Sequence, residues 1–184
     1  FCSAELNHEL SGILATPQGR VPKMNPDRTL SPDGRFIHDQ QLVNASGSKF
    51  DHPPAQQPKH QALCRNILWW KTRLPGIQIL MAKFDVDSAY KIVWLCVDDV
   101  GLFATELPGE ELELLMSVLC LYLVLTFGWN GSPGEYMAFA WFEKLLYQSY
   151  KPAYPTWHDS VAFHCKTLMD DKCVVEPDVG VRVP

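Results

Sequence analysis

Three aspartates occupy positions where carboxylates could act together. Asp85 follows the apolar run Ile77–Phe84, and Asp170-Asp171 lie between two strand-like runs, Val161–Leu168 and Cys173–Val175. Two strand ends side by side would bring all three carboxylates to one edge of a buried sheet. Such a cluster cannot stay ionised without cations, because like charges raise one another's pKa. Ligands that are all oxygen select hard ions, Mg²⁺ or Mn²⁺. Two such ions ~4 Å apart can activate an attacking hydroxyl and stabilise a leaving phosphate oxygen in an in-line displacement. On spacing alone the competing reading is that acids in turns are simply solvated.

The elements that must carry these acids alternate irregularly. Residues 1–33 are rich in Pro, Gly, Asn and Asp and read as loop and frayed strand. A short strand is expected over Arg35–Val43, then a polar, proline-broken connector over 45–62. A helix is expected from Gln61 to Thr72, a turn at Pro75-Gly76, and a buried strand over Ile77–Phe84 that delivers Asp85. Leu119–Phe127 is a strand candidate in competition with a helix from Glu110. Gly128–Gly134 is a turn, and Tyr136, Phe139, Ala140, Phe142, Leu145 and Leu146 recur at helical spacing over 135–150. Lys151–Asp159 reads as loop, and Val161–Val175 as a hairpin with the acid pair at its tip. The sum is an α+β fold, with helices on one face of a small antiparallel sheet.

Length and composition set the outer bounds. At 184 residues the chain fits one domain, or one and part of another. Hydrophobic residues at 47% and charged residues at 20% read as globular rather than disordered. The net charge of -5 argues against a basic nucleic-acid-binding surface, although bound divalent cations would offset a carboxylate site. Six scattered cysteines without a C-x-x-C pair suit neither zinc nor a disulfide framework, so a reduced, intracellular protein is expected. Cys165 and Cys173 could face each other across the hairpin. The apolar run Leu112–Phe127 is too short for a membrane span and reads as core. Phe1 and Pro184 read as ends cut from something longer.

The residues around the acids carry a resemblance. Asp85-Val86-Asp87-Ser88-Ala89-Tyr90 resembles the first palm motif of reverse transcriptases, Phe127-Gly128-Trp129-Asn130-Gly131-Ser132-Pro133 the second, and Leu168-Met169-Asp170-Asp171 the third. Upstream, Arg35 to Asn44 resembles the fingers motif R-x-x-x-D-x-R-x-x-N. The four stand in the family's order, and the connector and the Glu176-Pro177 tail look similar to retrotransposon enzymes. The resemblance implies partial fingers and connector over 1–76, a truncated palm over 77–184, and no thumb.

It also implies RNA-directed DNA polymerisation, with template-primer and deoxynucleoside triphosphates as partners and two Mg²⁺ (or Mn²⁺) ions as cofactors. Asp85, Asp170 and Asp171 would hold the metals together with the Val86 backbone, and Val86 and Asp87 would lie beside the triphosphate. Tyr90 would sit under the sugar and exclude a 2′-hydroxyl. Arg35 would grip the triphosphate, a task suited to a planar cationic fork, with Lys23 and Arg28 as further candidates. Phe127, Gly128, Ser132 and Pro133 would shape the pocket floor and hold the template.

Two departures stand out: Gln41 replaces the family's usual Arg, and Leu168 its usual Tyr or Phe. Two rivals to the acids also exist. Val97-Asp98-Asp99-Val100 imitates the third motif but precedes the second, so it is read as surface loop. Asp87 shares Asp85's face if the strand continues, and Ala89-Tyr90 fixes the register in favour of Asp85. His38, His158 and His164 read as satisfied or exposed rather than as ligands, and Trp69 and Trp70 as packing, with Trp129 open between packing and base stacking. Ser132 lacks the partners of a hydrolase nucleophile. The alternatives to a reverse transcriptase are a catalytically inactive palm-like remnant that binds nucleic acid or a protein, and an RNA-templated RNA polymerase palm.

Overall fold

A computed structural model describes residues 2–3, 12–151, 161–180 and 182. Numbered along the chain, the elements are β1 (Cys2–Ser3), β2 (Gln18–Met24), β3 (Leu30–His38), α1 (Gln41–Ser46), α2 (His60–Arg73), β4 (Ile79–Asp85), β5 (Ala104–Leu107), β6 (Val118–Leu121), α3 (Ser132–Ser149), β7 (Cys165–Leu168) and β8 (Asp171–Pro177). The class is α+β, with small antiparallel sheets and few helices. Among the described residues no helix is long and apolar enough to cross a membrane. The chain divides into two compact units, residues 1–52 with 90–132 and residues 53–89 with 133–184.

In the first unit, β6 lies between β1 and β5, and β2 pairs with β3 as a separate ribbon. Of the loop and frayed strand expected over 1–33, the part from Gln18 is a regular pair of strands, and residues 4–11 lie outside the described residues. The ribbon's signal is weak because Pro22, Pro32 and Gly34 interrupt it. Both of its faces are also largely exposed, so no alternation of apolar and polar residues is required. The strand expected over Arg35–Val43 stops at His38, and the six-residue α1 follows. Between Glu110 and Phe127 the strand prevails over the helix, apart from one 3₁₀ turn at Glu110–Leu112. That segment is core only in part. Leu119 and Leu125 are buried, whereas Leu112, Leu114, Leu115, Met116, Leu123 and Phe127 are exposed, because a four-residue strand flanked by turns can bury few of its side chains.

The second unit is a three-stranded antiparallel sheet of order β4-β8-β7 with two long helices. Helix α2 spans the residues that the spacing predicts, and its end is marked by Gly76 at φ +84°, a left-handed turn that suits glycine. Helix α3 begins three residues earlier than its apolar spacing indicates, at Ser132-Pro133, where proline is tolerated because first-turn amides lack intrahelical partners.

Period two puts Lys83, Asp85, Leu168, Lys166, Asp171, Cys173 and Val175 on one face of this sheet. Trp70 and Leu74 of α2 pack on Val175 of that face, with Leu63, Ile67 and Ile79 around them. Phe84, Cys165, Lys172 and Val174, from the opposite face, line a cavity of about 420 Å³ with Leu146 and Tyr147 of α3. The helices therefore flank both faces, which corrects the expectation of one helical face. Nor is β4 buried: Met81 and Phe84 are more than half exposed, since β4 is an edge strand of a narrow sheet.

Candidate functional site

The acids meet at the turn between β7 and β8. Asp85, the last residue of β4, pairs in register with Asp171, the first of β8. The Val86 amide donates to the Asp170 carbonyl at 3.1 Å, and this bond fixes the end of β4 against the turn. Met169, in the turn, takes φ +58°. One carboxylate oxygen from each of Asp85, Asp170 and Asp171 lies within 4.8 Å of the others, with Asp85 and Asp170 exposed and Asp171 half-buried.

The donor set is oxygen only and triply anionic, which fits a hard divalent cation. Asp87 is not in the cluster; it accepts from the Ser88 hydroxyl at 3.2 Å, and Ser88 sits at φ +55°. Asp98 and Asp99 lie exposed in a 3₁₀ helix, Val97–Leu102, rather than in the loop expected there.

Sequence reasoning passed over Lys83. Its ammonium lies 2.9 Å from an Asp171 carboxylate oxygen. The hydrogen bond and the charge of Asp171 raise the pKa of Lys83, and Asp85 adds to the effect. The signal was available: Lys83 stands two residues before Asp85, hence on its face.

A second constellation lies in the first unit, where the residues resembling the fingers motif and the second palm motif meet. The side chain of Asn44 donates to the Gly128 carbonyl at 2.9 Å and accepts from the Asn130 amide at 2.8 Å. The His38 amide donates to the Phe127 carbonyl at 3.3 Å. Gly128 takes φ +105°, and a β-carbon there would collide with the His38 carbonyl, so glycine is required twice over. Asp39 accepts from the Gln41 amide at 3.1 Å and turns the chain into α1. Ser132 is buried and donates to the Thr126 carbonyl at 2.6 Å, a structural bond that closes the turn.

Tyr90 packs on Phe127, ring centroids 4.9 Å apart. Trp129 meets Phe103 and His52 edge-on, which favours packing over base stacking. Arg35 is exposed on β3 opposite Val21, Lys23 is exposed on β2, and Arg28 is exposed at φ +66° in the ribbon's turn. Thus Asp85, Val86, Asp87, Asp170, Asp171 and Pro133 belong to the second unit, and the other candidate residues to the first.

The remaining candidates take structural positions. His38 is buried against Tyr122, and burial lowers its pKa. His158 and most of Lys151–Asp159 lie outside the described residues. Cys165 pairs in register with Val174, not with Cys173, so the two thiols point to opposite faces and both are free. Trp70 is buried; Trp69 is half-exposed but meets Trp70 edge-on, ring centroids 4.5 Å apart, with the Arg73 guanidinium over its ring, so both take the packing reading. At the other end of the sheet Arg182 and Glu176 form a buried ion pair at 2.7 Å, missed by sequence reasoning. Burial raises the Glu176 pKa, and Arg182 draws it back.

No protein-family model matches the chain, and a search of curated proteins finds no match.

Proposed function

We propose that this chain is the catalytic core of a template-directed nucleotidyltransferase of the reverse-transcriptase type, joining a deoxynucleoside triphosphate to a primer 3′-hydroxyl. The observation that carries the reading is the convergence of Asp85 with the distant Asp170 and Asp171, within 4.8 Å. In support, the segments that carry and surround them resemble the family's motifs in order, and Asn44 ties two of those segments together.

The primer oxygen attacks the α-phosphorus, the new P–O bond forms as the bond to the β-phosphate oxygen breaks, and pyrophosphate leaves. Divalent ions, when bound, supply the lowered hydroxyl pKa and the charge that stabilises both oxygens in line. The chain's own part is to hold three carboxylates at fixed spacing on a hydrogen-bonded strand pair, so that little reorganisation accompanies the reaction. Lys83 neutralises part of that charge and keeps Asp171 oriented. The test is primer extension with Mg²⁺, comparing the chain with Asp170→Asn. Equal signal from both would leave only a palm-like remnant that binds without chemistry.

Sugar choice provides a second expected result. Tyr90, packed at a tilt against Phe127, is the residue proposed to meet the 2′ position. Tyr90→Val raises ribonucleotide incorporation relative to deoxynucleotide by roughly 10–200-fold, the range for adding or removing one small group's worth of space. Single-nucleotide incorporation kinetics measure the ratio. An unchanged ratio would favour an RNA-templated RNA polymerase palm instead.

A further inference from the structure

The acid-bearing sheet face continues away from the acids into a second feature. Lys166, on that face, borders a groove of about 470 Å³ between α2 and the β7 end of the sheet, together with Arg65, Asn66, Trp69 and His164. Arg65 and Trp69 also border an adjoining depression that reaches Arg73, so the cationic lining extends along the helix. Helix α2 carries Arg65, Lys71 and Arg73 and no acid, although the whole chain has a net charge of -5. The local charge is therefore the reverse of the global one.

Two further observations concern the interior of the groove. Among the described residues the buried Asn66 side-chain nitrogen has no hydrogen-bond acceptor, a costly arrangement for a buried polar atom. Lys166 donates towards the imidazole of His164 at 3.0 Å, and both side chains lie in the field of Lys144. Burial is the first cause that lowers both pKa values; the charges of Lys166 and Lys144 then lower that of His164, and the charge of Lys144 that of Lys166. An anion in the groove would offset the positive charge that Lys144 and Lys166 place there. The Trp69 indole meets Trp70 edge-on and carries the Arg73 guanidinium over its ring, and the part left exposed adds an apolar surface for a base or sugar.

We propose that this groove is a track for single-stranded nucleic acid, with Arg65 and Lys166 on the phosphates and Trp69 against a base. Nucleic acid is favoured over an acidic peptide because the lining pairs cations with an aromatic surface and leads along the sheet face that bears the acids. The proposal extends the polymerase reading but does not need its chemistry.

Fluorescence anisotropy of a labelled 20-nucleotide oligo-dT on the full chain, titrated at several salt concentrations, tests it. Arg65→Gln/Lys166→Gln weakens binding about tenfold and lowers the slope of log affinity against log salt by about 0.7 for each phosphate no longer neutralised. Trp69→Ala weakens it about tenfold as well. Lys71→Gln, a charge removed from the same helix outside the groove, binds like the parent chain. Matching thermal unfolding curves exclude misfolding as the cause. Unchanged affinity and slope in the double variant would overturn the proposal, as would displacement of the oligonucleotide by polyglutamate of equal charge. Loss of primer extension in Asp170→Asn concerns the acids alone, so the two readings fail separately.

Discussion

Asp170→Asn lowers primer extension by on the order of a thousandfold, the scale expected when one preorganised charge partner is taken from a transition state. That factor corresponds to about 4 kcal/mol of barrier. The substitution keeps the side chain's shape and removes one negative charge from the cluster that Asp85 and Asp171 complete. Asp170 is exposed, and its bond to Val86 is made by the backbone carbonyl, so the turn is retained. Protein stability should therefore hold while turnover falls. Asp98→Asn makes the same chemical change at the imitating acid pair, which is exposed in a separate 3₁₀ helix. Extension by that variant equals the parent's. A steady-state assay of both, with urea unfolding alongside, separates loss of charge at the site from loss of fold.

The second large effect is on stability. Trp70→Ala destabilises the acid-bearing unit by about 3–5 kcal/mol, the range for removing a buried Trp or Phe. Trp70 is fully buried among Leu74 and Val175, and its indole N–H donates to the Val175 carbonyl at 3.1 Å. The Arg182 guanidinium lies over its ring, 4.9 Å from the centroid, while paired with Glu176. Truncation thus opens a cavity, leaves a strand carbonyl without that donor and exposes a buried ion pair to rearrangement. Trp70→Phe keeps most of the volume and loses the hydrogen bond, at a cost of about 1–3 kcal/mol. Urea denaturation followed by far-ultraviolet circular dichroism gives both values. A loss below about 1 kcal/mol for Trp70→Ala, under the range for a buried aromatic, would mean that α2 does not hold this sheet together.

Asp170 and Trp70 also illustrate what a sequence can reveal. Helices α2 and α3 were legible because their apolar residues recur at helical spacing, although the first three residues of α3 were read as part of the turn before it. The strands β4, β7 and β8 were legible as apolar runs punctuated by acids, and the resemblance aligned those acids in advance. The exposure of β4 was not legible: IQILMAKF is apolar on both faces, and only the topology reveals that the strand sits at an edge. The β2–β3 ribbon was hidden because a strand pair that packs on little carries no alternating pattern. Helix α1 is too short to express a period.

Among functional residues, the acids were visible because the chemistry dictates their type. Lys83 and Asn44 were assigned no role, since an ion pair across strands and a side chain bridging two loops depend on register and approach rather than on spacing. Arg182 and Glu176 are six residues apart, and their pairing follows from the turn that carries the chain back beside β8.

The polymerase reading stands or falls on whether the three aspartates hold divalent cations beside a reacting phosphate. Anomalous scattering from a crystal of this chain, soaked with Mn²⁺ and a deoxynucleoside triphosphate, locates those ions. Two peaks about 4 Å apart, bound by Asp85, Asp170 and Asp171, are the expected result. A crystal in which Mn²⁺ avoids these carboxylates, or collects only at Asp98 and Asp99, would contradict it.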